Sequence, residues 1–301
     1  MSAPAPVLVT GATGKQGGAT TAALRKADVP VRALVRNPAS DRARAVAALG
    51  AELVTGDLLD FDSVRRAVEG VRGVFSVQMP DLEDLQGDAE WVQGRNLVDA
   101  AQAAGVPQFV HTSVAGAGEH REAPGWQEGR WAAMEHYYET KTALQDRVRE
   151  AGFPSWTLLK PAFFMENFLP PLFLLPNGPE GGLVTVIKPH VEVPLVAVAD
   201  IGTAAAAAFA APERFHRVEL DLAGDRLTMT EIADVLSRTL GTPLTAPDLT
   251  PDEALAAGMP EFGLGHVWLN EVGQPGSPAE ARALDLPLTT FATWAAEAKL
   301  R

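Results

Sequence analysis

The stretch Val7–Ala19, VLVTGATGKQGGA, decides how the whole chain is read. An apolar, β-favouring run stops at Thr10 and gives way to Gly11, Gly14 and Gly17, three residues apart. If this is the junction of a first strand with a first helix, each glycine has a task. Gly11 permits the tight turn, Gly14 lets a phosphate approach the backbone, and Gly17 lets the helix pack close to the strand. The helix starting near Gln16 then offers unpaired N–H groups and the positive end of its dipole, which suits a pyrophosphate. Thr13, Lys15 and Gln16 belong to the same expected nucleotide-binding turn. The spacing is G-x-x-G-x-x-G, not the G-x-G-x-x-G of many dehydrogenases, so its weight comes from its place in the chain.

The remainder of the first half fixes that place. Apolar runs at 6–10, 31–35, 52–55, 73–77, 107–112 and 155–159 alternate with amphipathic stretches at 17–27, 40–49, 61–69, 86–104 and 132–151. Gly50, Gly70, Gly105 and Gly152 each follow a helical stretch, where a left-handed cap is expected. This alternation predicts an α/β fold: a doubly wound, mostly parallel sheet with helices on both faces. After Pro161 the pattern degrades, and residues 162–194, rich in proline and glycine as in NFLPPLFLLPNGPEGG, read as irregular. Short strands are expected at 183–187 and 195–198, a helix at 200–211 and a strand at 217–222. Helices follow at about 229–240, 250–257, 260–272 and 288–299. The expected division is a nucleotide-binding domain over 1–162, with 195–225 returning to it. A smaller, largely helical lobe is formed by 163–194 and 226–301, and the nucleotide is expected along the carboxyl edge of the sheet.

Composition narrows the function. With 47% hydrophobic and 21% charged residues in 301, a packed core is feasible and disorder is not the default. A net charge of −13 argues against nucleic acid or an anionic membrane surface as partner. There are no cysteines, so disulfides, thiolate nucleophiles and cysteine-bound zinc are excluded. The six histidines lack the close spacing of a helical metal pair, so no metal site is expected. The first ten residues carry neither a basic region nor a long apolar run, and no stretch is long enough for a membrane span; a soluble, cytoplasmic protein is expected.

The ends of the strands refine the ligand. The second strand, VRALVRNP, closes on Arg36 and Asn37 with no acid. A carboxylate there would hold ribose hydroxyls and repel a 2′-phosphate, whereas a guanidinium grips one, so NADP(H) is expected over NAD. The competing reading of Arg36 is a solvated strand-end charge. In GDLLD, Asp57 accepts from the adenine amine with Leu58 against the ring, or else serves as a turn or cap residue. SVQMP places Gln78 and Met79 over the nucleotide.

Hydride transfer also calls for a proton donor. The fifth strand ends FVHTS, leaving Ser113 at the carboxyl edge, and the next helix carries HYYETK. Tyr137 and Lys141 lie four apart, on one helical face. In this arrangement Tyr137 gives the proton, Lys141 lowers the phenol pKa and holds ribose hydroxyls, and Ser113 positions the substrate. The alternatives are Tyr137 as a packing residue and a water as donor. His111 reads as a strand residue in the core, and His266 as a surface histidine or a second donor.

These segments resemble the NmrA-like group of atypical short-chain dehydrogenases/reductases. The carriers are VTGATGKQG, VRNP, GDL, FVHTS and KTALQDRVREAGFPSWTLLKPAFFMENF, in order over about the first 168 residues. The resemblance implies that Pro161, Phe163, Phe164 and Asn167 wrap the nicotinamide side. Lys160 stands where relatives often have Arg, and Tyr137 where they often have His or another residue. It further implies either an NADP(H)-dependent reductase of a small electron-poor substrate or a catalytically inactive redox sensor acting through a regulatory protein partner. A redox-neutral enzyme using bound NADP is a third possibility, and a homodimer is left open. The expected substrate pocket is apolar, lined by Met79, Phe163, Phe164 and Trp268.

Overall fold

The computed structural model describes residues 4–81, 83–169 and 174–298. Strands β1 (Val7–Val9), β2 (Val31–Val35), β3 (Glu52–Thr55), β4 (Gly73–Ser76), β5 (Gln108–Thr112) and β6 (Ser155–Pro161) alternate with helices α1 (Lys15–Lys26), α2 (Asp41–Ala48), α3 (Phe61–Val68), α4 (Ala89–Ala103) and α5 (Ala132–Glu150). Then come β7 (Phe163–Phe164), β8 (Glu192–Val196), α6 (Val198–Ala210), α7 (Pro212–Phe215), β9 (Val218–Leu222) and β10 (Asp225–Thr228). The chain closes with α8 (Met229–Leu240), α9 (Pro251–Ala256), α10 (Val267–Glu271), α11 (Pro278–Ala283) and α12 (Phe291–Glu297).

The large sheet has the order β3-β2-β1-β4-β5-β6-β9. All neighbours from β3 to β6 are parallel, with Val9 opposite both Ala33 and Phe75. Strands β1, β4, β5 and β6 are buried along their whole length, as befits apolar runs covered on both faces. The strand order reverses between β1 and β4, and in a sheet of this kind the crevice outside that reversal is where ligands bind. Leu8, Val64, Val74, Leu97, Phe109 and Leu158 are among the side chains of the core on one face.

The chain divides into two compact units. The first comprises 1–120, 134–160 and 201–220, and the second 121–133, 161–200 and 221–301. In the second, β8 pairs antiparallel with β10 and parallel with β7. Thr228 and Glu231 form a reciprocal capping box at the start of α8. Trp268 meets Trp126 and Trp131 edge-on, with centroids 5.9 and 5.0 Å apart, which ties segment 121–133 into this unit.

Two expectations for this region fail. Residues 183–187 form no strand: the Val184 N–H donates to Leu174 O, and the Val186 carbonyl accepts from the Asn270 side chain, so no ladder is available. Residues 260–272 are a 3₁₀ turn (Glu261–His266) followed by the short α10, not one helix. Strand β10 and helix α11 were not foreseen. Among the described residues no helix is long and apolar enough to cross a membrane.

Candidate functional site

In the first unit, Thr10 fastens the end of β1 to β4. Its hydroxyl lies 3.1 Å from the Phe75 carbonyl and 3.2 Å from that of Val77, and it accepts the Val77 N–H at 2.9 Å. The chain then turns through Gly11 at φ +59°. A Cβ on Gly17 would stand 2.3 Å from the Gly11 carbonyl oxygen and 2.5 Å from that of Thr10, so only glycine lets α1 begin this close to the strand. Gly14 is the N-cap; no side chain caps the helix and its first turn holds no acid. Thr13, Gly14 and Lys15 are exposed, and the half-buried Gln16 has a buried Oε1 with no partner among the described residues. The result is a cradle of helix-start backbone N–H donors beside a lysine with no ion pair among the described residues, which suits an anionic ligand such as a dinucleotide pyrophosphate.

The neighbouring strand ends differ in character. Arg36 is exposed and makes no ion pair among the described residues, while Asn37 is spent on the turn, its Oδ1 accepting from Ala39 N at 2.9 Å. Asp57 likewise shapes its turn: Oδ1 accepts from Leu59 N at 2.9 Å, and Asp60, not Asp57, caps α3. Leu58 packs on the core. Gln78 is buried and points back to Ser76 Oγ, 3.1 Å away, whereas Met79 stands 65% exposed.

Tyr137, Lys141 and Gln145 follow one another along α5, one per turn. The Lys141 ammonium donates to Glu90 of α4, and both residues are buried. It lies 5.5 Å from the centroid of the Tyr137 ring, within cation–π range. The phenol pKa is not lowered as expected: burial pushes it up, and the Glu90 carboxylate adds to that. Ser113 Oγ accepts from Gln145 Nε2 at 2.7 Å, which leaves the serine O–H free to donate elsewhere. His111 is indeed buried in its strand; burial first, and then the Lys141 charge, lower it to about 3, so the ring is neutral.

Two members of this cluster, Glu90 and Gln145, were missed from the sequence. Gln145 continues the four-residue spacing of Tyr137 and Lys141. Glu90 stands on the same face of α4 as Gly94, Leu97, Val98 and Ala101, where a carboxylate interrupts an apolar stripe.

In the second unit, Phe163 and Phe164 form β7 after Pro161, and Asn167 sits half-buried in the next 3₁₀ turn. Phe163 meets His266 at 5.2 Å. That histidine is half-buried, and burial lowers it to about 4. Trp268 is buried against Trp126 and Trp131.

The model of the NmrA-like family matches residues 5–265. An NAD(P)H azoreductase of Xenophilus azovorans is 30% identical over 261 residues, covering 85% of this chain and 82% of that one. The crystal structure of an NADPH-dependent quinone oxidoreductase from Escherichia coli, complexed with NADPH, superposes with a TM-score of 0.71 at 27% identity, covering 96% and 98% of the two chains. A negative transcriptional regulator complexed with NADP gives a TM-score of 0.74 at 22% identity, covering 98% and 95%; that likeness bears on the fold alone.

Proposed function

Because the chain belongs to the NmrA-like family, we propose that it is an NAD(P)H-dependent oxidoreductase that takes NADP(H) and reduces a small electron-poor C=O, C=N or conjugated C=C substrate. The observation that carries this reading is the β1–α1 turn. Its glycines admit a ligand to the backbone, its helix start is uncapped and free of acid, and a guanidinium with no ion pair among the described residues ends the next strand. The azoreductase and quinone oxidoreductase relatives, named for NAD(P)H and NADPH, support it.

When bound, NADPH supplies the hydride. The protein's own part is binding and proton supply. The first-turn amides of α1 hold the pyrophosphate, Arg36 grips the 2′-phosphate and Lys141 bonds ribose hydroxyls. The Ser113 O–H, with a lone pair already taken by Gln145, donates to the substrate heteroatom. Tyr137, kept protonated by burial and by Glu90, releases its Oη proton to the substrate.

A second reading, a nucleotide-binding redox sensor acting through a protein partner, draws on the same cluster. The ammonium that would activate the phenol is already engaged by Glu90. Calorimetry with NADPH and NADH, followed by NADPH oxidation assays with a quinone and an azo dye, separates the two. Binding with turnover supports the reductase, binding without turnover supports the sensor, and no binding of either nucleotide overturns both.

A further inference from the structure

We propose that Glu90 is a positioning residue: from α4 it anchors the Lys141 ammonium over the face of the Tyr137 ring and cancels its charge. The role in turnover rests on the reading of Tyr137 and Lys141 given above. The contact itself does not.

The geometry explains how the two helices come within reach. A Cβ on Gly94 would stand 2.4 Å from Leu144 Cδ2, so the glycine leaves the space that the buried Leu144 side chain of α5 fills, and a larger residue there would make that side chain shift. Glu90 lies one turn before Gly94 on α4, and Lys141 one turn before Leu144 on α5. The close approach thus brings carboxylate and ammonium together, with Glu90 4% and Lys141 6% exposed.

A buried ion pair is a poor way to gain stability, because the desolvation of two charges offsets their attraction and an apolar pair of similar volume often does as well. Its presence on an otherwise apolar stripe therefore points to a use. The groups facing the pair define that use. His111 comes from β5, neutral and bonded through Nδ1 to Ser76 Oγ on β4 at 3.0 Å. On α5, Tyr137 and Tyr138 meet edge-on at 5.5 Å, and burial holds both phenols protonated. His136 is turned to the Gly87 carbonyl at 2.9 Å. Tyr138 stacks in turn on His120 at 5.0 Å, and His120 Nε2 lies 3.2 Å from Glu139 Oε1, a half-exposed carboxylate on α5. Glu90 and Lys141 are the buried ion pair of this set, and their charges balance. Without the carboxylate, the cluster holds one uncompensated cation, and the phenol beneath it becomes the nearest source of an opposing charge.

The chain has only two tyrosines, so Tyr138→Phe leaves Tyr137 as the sole phenol and its ionisation can be followed by phenolate absorbance. Adding Glu90→Gln should move the onset of phenolate absorbance down by at least one pH unit, over the range in which circular dichroism is unchanged. Glu90→Asp, which keeps the charge, should restore much of the original behaviour. Onsets that coincide, or a phenol silent in both proteins, would overturn the proposal. If Glu90→Gln does not fold, the unsubstituted protein still decides. A slowly exchanging lysine ammonium resonance that disappears in Lys141→Arg is expected, and its absence also overturns the assignment. In the NADPH oxidation assay, the alkaline limb of kcat/KM should shift with the phenolate onset. A protein that binds no nucleotide sinks the functional reading while leaving the phenolate titration to judge Glu90 on its own.

Discussion

His111 Nδ1 lies 3.0 Å from Ser76 Oγ, a bond between register partners on β5 and β4. Ser76 Oγ also receives the Gln78 amide, while His111 Nε2 is buried with no partner among the described residues. The ring therefore has no means of holding a second proton, and burial lowers it to about 3 from an ordinary value near 6.5.

This sets an acid limit on stability. A histidine whose folded pKa is depressed contributes fully above its unfolded value and loses that contribution as pH falls from about 6.5 toward 3. His266, lowered to about 4 by burial, acts in the same direction. Thermal melting followed from pH 7 to pH 4 should show a steep decline, and His111→Gln should flatten it. A parallel decline in the variant would mean that other groups govern acid unfolding.

Arg36→Asp should weaken NADPH binding about tenfold or more and leave NADH within about twofold, since a carboxylate repels a 2′-phosphate but can hold a ribose hydroxyl. Calorimetry with both nucleotides checks this. An unchanged preference would remove Arg36 from the site.

Gly17→Ala places a methyl group 2.3 Å from a backbone carbonyl oxygen, a position no side-chain motion can relieve. Overpacking of this kind costs about 1–3 kcal/mol. A lower melting temperature is expected together with weaker NADPH binding, because α1 must back away from the turn it caps.

Tyr137→Phe keeps the ring under Lys141 and deletes the proton. If the phenol is the donor, acceptor-dependent NADPH oxidation should fall about a hundredfold or more with nucleotide affinity intact. A rate close to the original would assign the proton to water.

Much of the large sheet was legible because its signals are local. Short apolar runs, glycines after helices and an acid-free β2 end are all read within a few residues, and β2 and β3 fall where expected. Strand β8 shows the limit. The expected strand is 195–198, whereas β8 spans Glu192–Val196 and takes Pro194 into the ladder opposite Arg226, a place where proline is rarely tolerated. Helix α11 is no shorter than α9, which falls within an expected stretch; the α11 start at Ser277 and Pro278 was not read as a cap. The Tyr137–Lys141 spacing was visible, but Glu90 lies 51 positions away and reaches Lys141 only through helix packing. Its local trace, an acid on an apolar stripe, has meaning only once the stripe is known to be buried.

The backbone passes from one unit to the other five times, at 120–121, 133–134, 160–161, 200–201 and 220–221. Neither half is therefore a continuous length of polypeptide, and no single cut of the gene yields either one intact. A fragment stopping near residue 162 would lack α6 and β9. Replacing either half by joining modules end to end would interrupt the other, so an exchange of one unit takes several coordinated splices.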